Sequence, residues 1–313
     1  MTALADRKKE KLDRLAAASV EQGGVSLVRD AVRRLRRNPV AVIGAVIIAL
    51  FILVAVLAPL LAPHDPYRKY LLDQVSLAEG FIPGPQPGFP FGSDSEGRDL
   101  FSRLIYGSRQ TLLVGVLATS LGLAAGVVLG ALAGALGGWV DALLMRIVDV
   151  MLSVPGLLLA ITLVAVVDQP SQWTVVVAVA VVNVPIFARL LRGSMLAQRE
   201  SDHVLAARAL GVRQRSIVMR HMLPNALSPV IVQATLTLAT AIIDAAALSF
   251  LGLGDPNPDR AEWGLMLGGL GQRYFEVRPE LAYYPAIAII IVALGFTLLG
   301  ESMREALDPK NRR

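Results

Sequence analysis

Six long stretches with few or no charged residues constrain this chain more than any other feature of its sequence. An α-helix rises about 1.5 Å per residue, so about 20 apolar residues cross the roughly 30 Å hydrocarbon core of a bilayer. Residues 40–62 and 111–136 contain no charged side chain at all. The other four stretches are residues 147–167, 173–191, 229–251 and 281–300. They predict an all-α, polytopic membrane protein with six transmembrane helices.

The composition agrees with a membrane protein and argues against a soluble enzyme. Hydrophobic residues make up 54% of the chain and charged residues 18%, whereas a soluble domain carries about 25% charge. Because the chain contains no Cys, disulfide frameworks, thiolate zinc sites and cysteine nucleophiles are excluded. With only three His residues, a histidine-rich metal site is not expected. We predict no cofactor, no metal and no nucleic-acid partner for this chain.

The distribution of basic residues predicts the orientation in the membrane. If the N-terminus is cytoplasmic, 22 of the 30 Lys and Arg residues fall on the cytoplasmic side, as the positive-inside rule requires. Residues 1–39 are then a basic cytoplasmic tail, and residues 63–110 are an extracytoplasmic loop. A transmembrane core of residues 111–303 follows, and residues 304–313 form a second cytoplasmic tail.

The basic tail ends in a segment with helical periodicity. Val28, Val32 and Leu35 fall on one helix face and are surrounded by arginines. One interpretation is an interfacial helix on the inner leaflet, and the other is a solvated charge run that only fixes topology. A polar tail of this length, followed by a full span, is not the pattern of a removable signal peptide.

The first outer loop begins with a Pro- and Gly-rich, irregular segment and then changes character. Ser93 and Glu96 fit a capping box, which predicts that a helix starts at Ser93. An apolar stripe follows at helical spacing, formed by Leu100, Phe101, Leu104 and Ile105. We therefore expect an amphipathic helix that leads into the second span.

The second span carries small residues at every fourth position. Its glycines are Gly122, Gly126, Gly130 and Gly134, preceded by Ala118 and followed by Gly138. A face without side chains lets another helix approach closely in the membrane. The pattern predicts close packing against a partner in this chain or in another chain. Glycines chosen only for flexibility are the alternative.

Asp244 lies inside the fifth predicted span. A carboxylate near the bilayer centre costs about 2.5–3.5 kcal/mol on insertion scales, so it should face protein or water. It is a candidate for a polar point on a translocation pathway or a proton site. The alternative is a structural hydrogen bond to a neighbouring helix, for which Asn183 in span four is the candidate.

Prolines predict the shape of three spans. Pro155 and Pro185 predict kinks in the third and fourth spans. Ser228 followed by Pro229 has the pattern of an N-cap and a first-turn proline, so it predicts the start of the fifth span.

The inner loop of residues 192–224 is too polar for a span and too rich in Ala and Leu for a disordered linker. Residues 204–210 predict a short helix that Gly211 ends at the C′ position. A second helix over about residues 213–222 is predicted to stop at Pro224. The result is a compact projection in which Ala206, Ala207 and Ala209 form a surface that can seat in a groove of another protein, with an ordinary loop as the alternative.

At this point the sequence resembles a known family. Residues 199–227 (RESDHVLAARALGVRQRSIVMRHMLPNAL) are similar to the EAA loop of ABC-importer permeases. Further motifs resemble the dipeptide, oligopeptide and nickel branch of that family, in the order in which the family has them. They are FGSDSEGRDLFSRLIYGSR (91–109), GGWVDALLMRIVDV (137–150), LSFLGLG (248–254) and EWGLML (262–267).

Three positions depart from the family pattern. The EAA loop usually opens with Glu, where this chain has Leu205, a side chain that cannot form an ionic contact to the ATPase. His221 stands where a hydrophobic residue is expected, although the peptide branch often has His there. Asp244 stands where relatives commonly have Glu.

The resemblance implies a type I ABC-importer permease in the bacterial inner membrane, the second or C-type permease of a heterodimer. Its implied partners are a homologous permease, two ABC ATPase subunits that bind ATP and Mg, an extracytoplasmic solute-binding protein and the lipid bilayer. The chain has no Gly-x4-Gly-Lys-Ser/Thr phosphate loop, so it is expected to be a non-catalytic subunit. The implied ATPase-coupling residues are Asp202, Leu205, Ala206, Ala207, Arg208, Gly211 and Pro224.

Other functions fit the sequence less well. An ion-coupled secondary transporter would need several paired intramembrane charges and often has internal repeats, but this chain has essentially one deep charge. An intramembrane enzyme would need a nucleophile–base set or a metal cluster, and none of the six spans contains His. Dipeptides and oligopeptides lead among the substrates that the resemblance implies, with nickel chelates, opines and glutathione as alternatives.

Overall fold

Helices form the architecture of the protein, whose computed structural model describes residues 27–257 and 259–307. In chain order they are α1 (Leu27–Arg37), α2 (Pro39–Val56), α3 (Ala58–Leu61), α4 (Leu100–Leu136), α5 (Gly138–Ser153), α6 (Gly156–Ala165), α7 (Gln172–Arg199), α8 (Asp202–Ala209), α9 (Gln214–Phe250), α10 (Trp263–Leu267) and α11 (Glu280–Leu307). The segments before α4 and around α10 consist of turns and short 3-10 pieces.

Five of these helices are long and apolar enough to cross a membrane, namely α2, α4, α7, α9 and α11. The pair α5 and α6 passes the same test only together and is bent by 94° at the break between them. Pro155 lies at this break, so the predicted kink is a complete interruption of the helix. Pro185 lies inside α7, which continues past it to Arg199. The prediction of an all-α membrane protein is confirmed for the described residues.

The helix predicted to start at Ser93 begins at Leu100 instead. The side chain of Asp94 accepts hydrogen bonds from two backbone N–H groups that follow it, at 2.9 and 3.0 Å. These bonds fold the segment into a turn, because a short acidic side chain competes with helical hydrogen bonding. Asp99 is the N-cap, and its carboxylate accepts a hydrogen bond from the backbone N–H of Ser102 at 3.1 Å. The predicted amphipathic helix and the second span are therefore one continuous helix, α4.

The prediction for the start of the fifth span is also wrong. Pro224 does not end a helix, and Ser228 and Pro229 lie inside α9. The segment Ile217–Met222 is π-helical, a form that occurs as bulges within α-helices and lets a helix continue past a local irregularity. The side chain of Asn225, the residue after Pro224, donates a hydrogen bond of 2.7 Å to the backbone carbonyl of His221, one turn earlier.

The first span, α2, packs along α11 through a close approach that the sequence did not reveal. A Cβ atom on Gly44 would lie 2.8 Å from the backbone nitrogen of Leu299 and 2.9 Å from the carbonyl oxygen of Gly295. A Cβ atom on Gly295 would in turn lie 2.7 Å from Ile47. Glycine on both helices therefore allows backbone contact, which is a common way to join helices in lipid.

The basic segment before the first span forms helix α1, as the interpretation of this segment as an interfacial helix requires. Its C-terminal part, at Arg34 and Leu35, lies beside Ser302 and Glu305 of α11. Residues 1–26 and 308–313, which include most of both predicted tails, lie outside the described residues.

Candidate functional site

The short helix α8 is ended by the glycine that the sequence indicated. Gly211 has φ +75°, a backbone conformation that L side chains rarely adopt. Its N–H donates to the carbonyl of Arg208 at 3.0 Å, and the N–H of Val212 donates to the carbonyl of Ala207 at 3.1 Å. These two bonds form a Schellman motif, so the predicted C′ position of Gly211 is correct.

One face of α8 is buried in the same chain. Val204 is 0% exposed and Ala207 is 7% exposed. They belong to an apolar cluster that joins Ile217 and Met222 to α7, where Phe187, Leu191 and Met195 are buried. The expectation that Ala207 lies on an outward surface with Ala206 is wrong, since Ala207 is turned inward. The packing holds the short helix against the end of α7.

The outward face of α8 carries an apolar patch although the helix lies in a polar loop. Leu205 is 44% exposed and Leu210 is 83% exposed, and Ala206 and Ala209 lie between them and are also exposed. We call these four residues the α8 surface. The other predicted coupling residues are also exposed, namely Asp202, Arg208, Gly211 and, within α9, Pro224. An exposed apolar patch on a rigid element is typical of a surface that contacts another protein.

The glycine register of α4 faces α7 of the same chain, and the backbone of α7 lies directly against the glycines. A Cβ atom on Gly126 would lie 2.8 Å from the carbonyl oxygen of Val184, and one on Gly130 would lie 2.6 Å from that of Ala188. The other two contacts are those of Gly122 with Ala180 and Asn183, and of Gly134 with Met195. Gly138 is not part of the contact, since it has φ +57° and open space around it.

Asp244 and Asn183 are not brought together. Asn183 is 2% exposed on the α4 side of α7, and its amide nitrogen is buried without a hydrogen-bond partner. Asp244 is half-buried on α9. Within the described residues its carboxylate has neither a hydrogen bond nor an ion pair, so the hydrogen bond to Asn183 suggested by the sequence is not formed.

Ion pairs connect α5 to α7, and sequence reasoning missed them. Arg192 donates to both carboxylate oxygens of Asp141, through Nε and a terminal nitrogen, at 2.6 Å each. Arg189 pairs with Asp149 on the same two helices. The partners are 51 and 40 residues apart in the chain, so no local spacing in the sequence indicated either pair.

At the end of the bundle opposite α8, two buried arginines hold the loops together. The sequence did not reveal this contact either. Arg98 is 5% exposed and pairs with Asp94 at 2.7 Å and with Asp259 at 2.8 Å. Arg103 is 2% exposed and donates to the backbone carbonyls of Pro66 at 3.1 Å and Asp259 at 3.0 Å. The two guanidinium groups therefore fasten the loop before α4 to the loop after α9.

The short helix α10 sits directly on α9 next to these arginines. The carboxylate of Glu262 caps α10 by accepting hydrogen bonds from the N–H groups of Gly264 at 3.1 Å and Leu265 at 3.3 Å. Burial raises the pKa of the Glu262 carboxyl, against hydrogen bonds from Ser249 and the cap that lower it. A Cβ atom on Gly264 would lie 2.5 Å from the carbonyl oxygen of Ala246, so the two backbones are in contact.

The described residues contain no group of three or more His, Asp or Glu side chains placed to hold a metal ion. What the arrangement offers is a membrane-spanning bundle, an apolar surface at one end and a fastened pair of loops at the other. An exposed apolar surface of this kind suits contact with another protein.

Two family models match the chain. The model described as binding-protein-dependent transport system inner membrane component matches residues 126–313. The model described as the N-terminal transmembrane domain of oligopeptide transport permease C matches residues 26–79.

Similar proteins and structures agree with these models. The dipeptide transport system permease protein of Alkalihalophilus pseudofirmus is 42% identical over 291 residues, covering 91% of each chain. The glutathione transport system permease protein of Escherichia coli is 42% identical over 278 residues, covering 89% of each. An inward-facing structure of the MetNI methionine ABC transporter shares the fold, with a TM-score of 0.53 and 21% identity over 66% of this chain and 96% of that one. The chain therefore belongs to the binding-protein-dependent transport system inner membrane components, as an ABC-importer permease of the dipeptide and oligopeptide branch.

Proposed function

We propose that this permease forms one half of the pathway by which an ATP-driven importer of the bacterial inner membrane takes up dipeptides or short oligopeptides. The observation that carries the substrate class is the 42% identity to a dipeptide permease over nearly the whole chain. The matched oligopeptide permease C domain at residues 26–79 supports the same branch.

The other half of the pathway is a second, homologous permease. Two ABC ATPase subunits bind ATP and Mg and drive transport, and an extracytoplasmic binding protein delivers the solute. This chain itself is a non-catalytic subunit. In this arrangement both termini and α8 are cytoplasmic, while the arginine-fastened loops face the binding protein.

The α8 surface docks on an ATPase subunit. Its support is that Leu205 and Leu210 are exposed while Val204 anchors the helix to α7. A helix held this firmly can transmit a displacement of the ATPase to the spans. Leu205 makes an apolar contact where the family usually has Glu.

Glutathione is the second candidate substrate, because the glutathione permease of Escherichia coli is also 42% identical. Both candidates are small, peptide-like solutes with a free ammonium group. Uptake of a labelled dipeptide and of labelled glutathione by proteoliposomes that contain the complete complex distinguishes them. We expect ATP-dependent uptake of the dipeptide that excess unlabelled dipeptide competes away. Uptake of glutathione alone would transfer the assignment to the second candidate, and uptake of neither would refute both.

Docking is tested by Ala206→Arg, which adds bulk and charge to the α8 surface. Burying an unpaired charge at a packed contact costs several kcal/mol, and a loss of about 3 kcal/mol weakens binding roughly a hundredfold. We expect the variant to lose the ATPase subunits in a pull-down and to lose solute-stimulated ATP hydrolysis.

Ala78→Arg is the matched control, because Ala78 is an exposed alanine in the loop at the opposite end of the bundle. It should retain both ATPase subunits. Full pull-down with Ala206→Arg would contradict the docking assignment, whereas loss of folding would appear as reduced insertion of the chain itself.

A further inference from the structure

A polar stripe runs along the membrane-spanning part of α9. Its members are Gln233, Thr237, Thr240 and Asp244. Their spacing of four, three and four residues places them on one side of the helix. The stripe extends over 11 residue steps, or about 16 Å at 1.5 Å per residue. It therefore covers roughly half the thickness of a bilayer core.

The stripe borders the side of α9 that the rest of the chain leaves uncovered. Thr240 is exposed, and Gln233 and Asp244 are half-buried. Thr237 is 2% exposed and anchors the stripe, since it accepts a hydrogen bond from Gln233 at 3.4 Å and its carbonyl accepts one from Thr240 at 3.0 Å. Asp244, by contrast, has no partner within the described residues.

The uncovered side of α11 is apolar over residues 287–294, whereas that of α9 combines Thr240 with Ile231 and Ile243. It presents Ile287, Ile290, Ile291 and Leu294, which are 51%, 63%, 38% and 48% exposed. Such a surface suits lipid, which cannot hydrogen-bond to polar groups. The stripe on α9 does not suit lipid, because an intramembrane carboxylate has to face protein or water.

A cavity of about 430 Å³ opens at one end of the stripe. Gln233 and Leu236 of α9 line it together with Arg304 of α11 and Leu190 of α7. The cavity has a mixed lining, and the stripe leads from it along α9 to Asp244. We call the cavity and the stripe together the track, with the guanidinium group of Arg304 at one end and the carboxylate of Asp244 at the other.

We propose that this track is the wall that the chain contributes to the transport pathway, and that Asp244 attracts the cationic ammonium group of the passing solute. The inference rests on the proposed function, since it takes the chain as half of a pathway. Gln233 and Thr240 offer donors and acceptors to peptide groups along the track. Asp244 has no counter-ion within the described residues, so its negative charge is available to a solute cation.

The test uses the absence of Cys from the chain. Single cysteines are introduced as Thr240→Cys on the track and as Ile290→Cys on the apolar face of α11. The complete complex in membrane vesicles is then treated with two small water-soluble reagents of opposite charge, 2-(trimethylammonium)ethyl and 2-sulfonatoethyl methanethiosulfonate. Labelling of this subunit is measured both without nucleotide and with ATP.

We expect Thr240→Cys to react at least about tenfold faster than Ile290→Cys in one of the two states, because only the track is in water. The ratio of the cationic to the anionic rate should exceed the ratio that the same two reagents give with a free thiol in solution, since Asp244 lies one helical turn away, roughly 6 Å between Cβ atoms. In the double variant Thr240→Cys with Asp244→Asn, this excess should fall by about tenfold or disappear.

Two outcomes overturn the proposal. Reaction of Thr240→Cys as slow as that of Ile290→Cys would mean that lipid or a packed partner covers the track. An unchanged charge preference after Asp244→Asn would remove the role of the carboxylate. Both readouts are independent of uptake, so failure of the unmodified complex to import dipeptide would refute the proposed substrate without affecting them.

Discussion

At the scale of single residues, the contact between α4 and α7 depends on the absence of a methyl group. At Gly126 a Cβ atom would lie 2.5 Å from the Cβ of Phe187 and 2.8 Å from the carbonyl oxygen of Val184. These neighbours are the Cβ atom of a buried phenylalanine and a backbone carbonyl, and neither can move unless α7 moves. The sequence indicated the close packing from the spacing of the glycines, but it could not say that the partner lies in the same chain.

Gly126→Ala is therefore expected to destabilise the protein. Overpacking costs about 1–3 kcal/mol, while the better helix propensity of Ala returns up to about 1 kcal/mol. The purified complex should melt at a lower temperature and be recovered in lower yield, and Gly126→Leu should be worse. Fluorescence-detected size-exclusion chromatography after heating measures both.

Gly193→Ala is the matched control, because Gly193 lies in α7 and a Cβ atom there meets nothing within 4 Å. It should melt at the temperature of the unmodified complex or above it. Equal melting temperatures for Gly126→Ala and Gly193→Ala would contradict the packing explanation.

At the scale of elements, the sequence predicted what depends on neighbours along the chain and missed what depends on the fold. The spans follow from local hydropathy, and the end of α8 follows from Gly211. The predicted helix start at Ser93 was wrong because Ser and Asp, which favour helix N-caps, also form turns such as the one at Asp94. The buried contacts of Arg98 and Arg103 with Asp259, 161 and 156 residues away, have no local signal.

The association of α5 with α7 provides an element-scale prediction. The Asp141 and Arg192 side chains are only 17% and 32% exposed in their bidentate pair, whereas those of Asp149 and Arg189 are 54% and 53% exposed. An ion pair near the surface contributes about 0–1 kcal/mol, and bidentate Arg–carboxylate geometry with two charge-assisted hydrogen bonds favours the upper part of this range. Asp141→Asn should therefore lower the melting temperature of the complex more than Asp149→Asn does.

The double variant Asp141→Arg with Arg192→Asp keeps the pair with its charges exchanged and should recover part of the loss. A double-mutant cycle on the melting temperatures gives the coupling. If Asp141→Asn and Asp149→Asn were equally mild, the bidentate pair would not be holding α5.

At the scale of the whole molecule, exposed aromatic residues mark where the bundle meets the two membrane surfaces. Trp173 and Tyr283 are 63% and 60% exposed near the starts of α7 and α11, at the end with the fastened loops. Trp139 is 76% exposed near the start of α5, at the end that carries α8. Trp and Tyr are enriched at both membrane–water interfaces, so these positions place the spans between them in the bilayer.

The basic residues of the bundle predict its orientation in the membrane, and cysteine labelling tests this prediction. The end with α8 carries Arg199, Arg208, Arg213, Arg215 and Arg220, so the positive-inside rule predicts that this end is cytoplasmic. In intact cells an impermeant maleimide should label Ala78→Cys from outside and should label Arg208→Cys only after the membrane is permeabilised. Both positions are exposed in the folded chain, so lack of access would not be due to burial in this subunit.

Because docking on an ATPase could also shield position 208, Arg208→Cys is measured with and without co-expressed ATPase subunits. Labelling of Arg208→Cys in intact cells would invert the topology and, with it, the assignment of the α8 surface to a cytoplasmic partner.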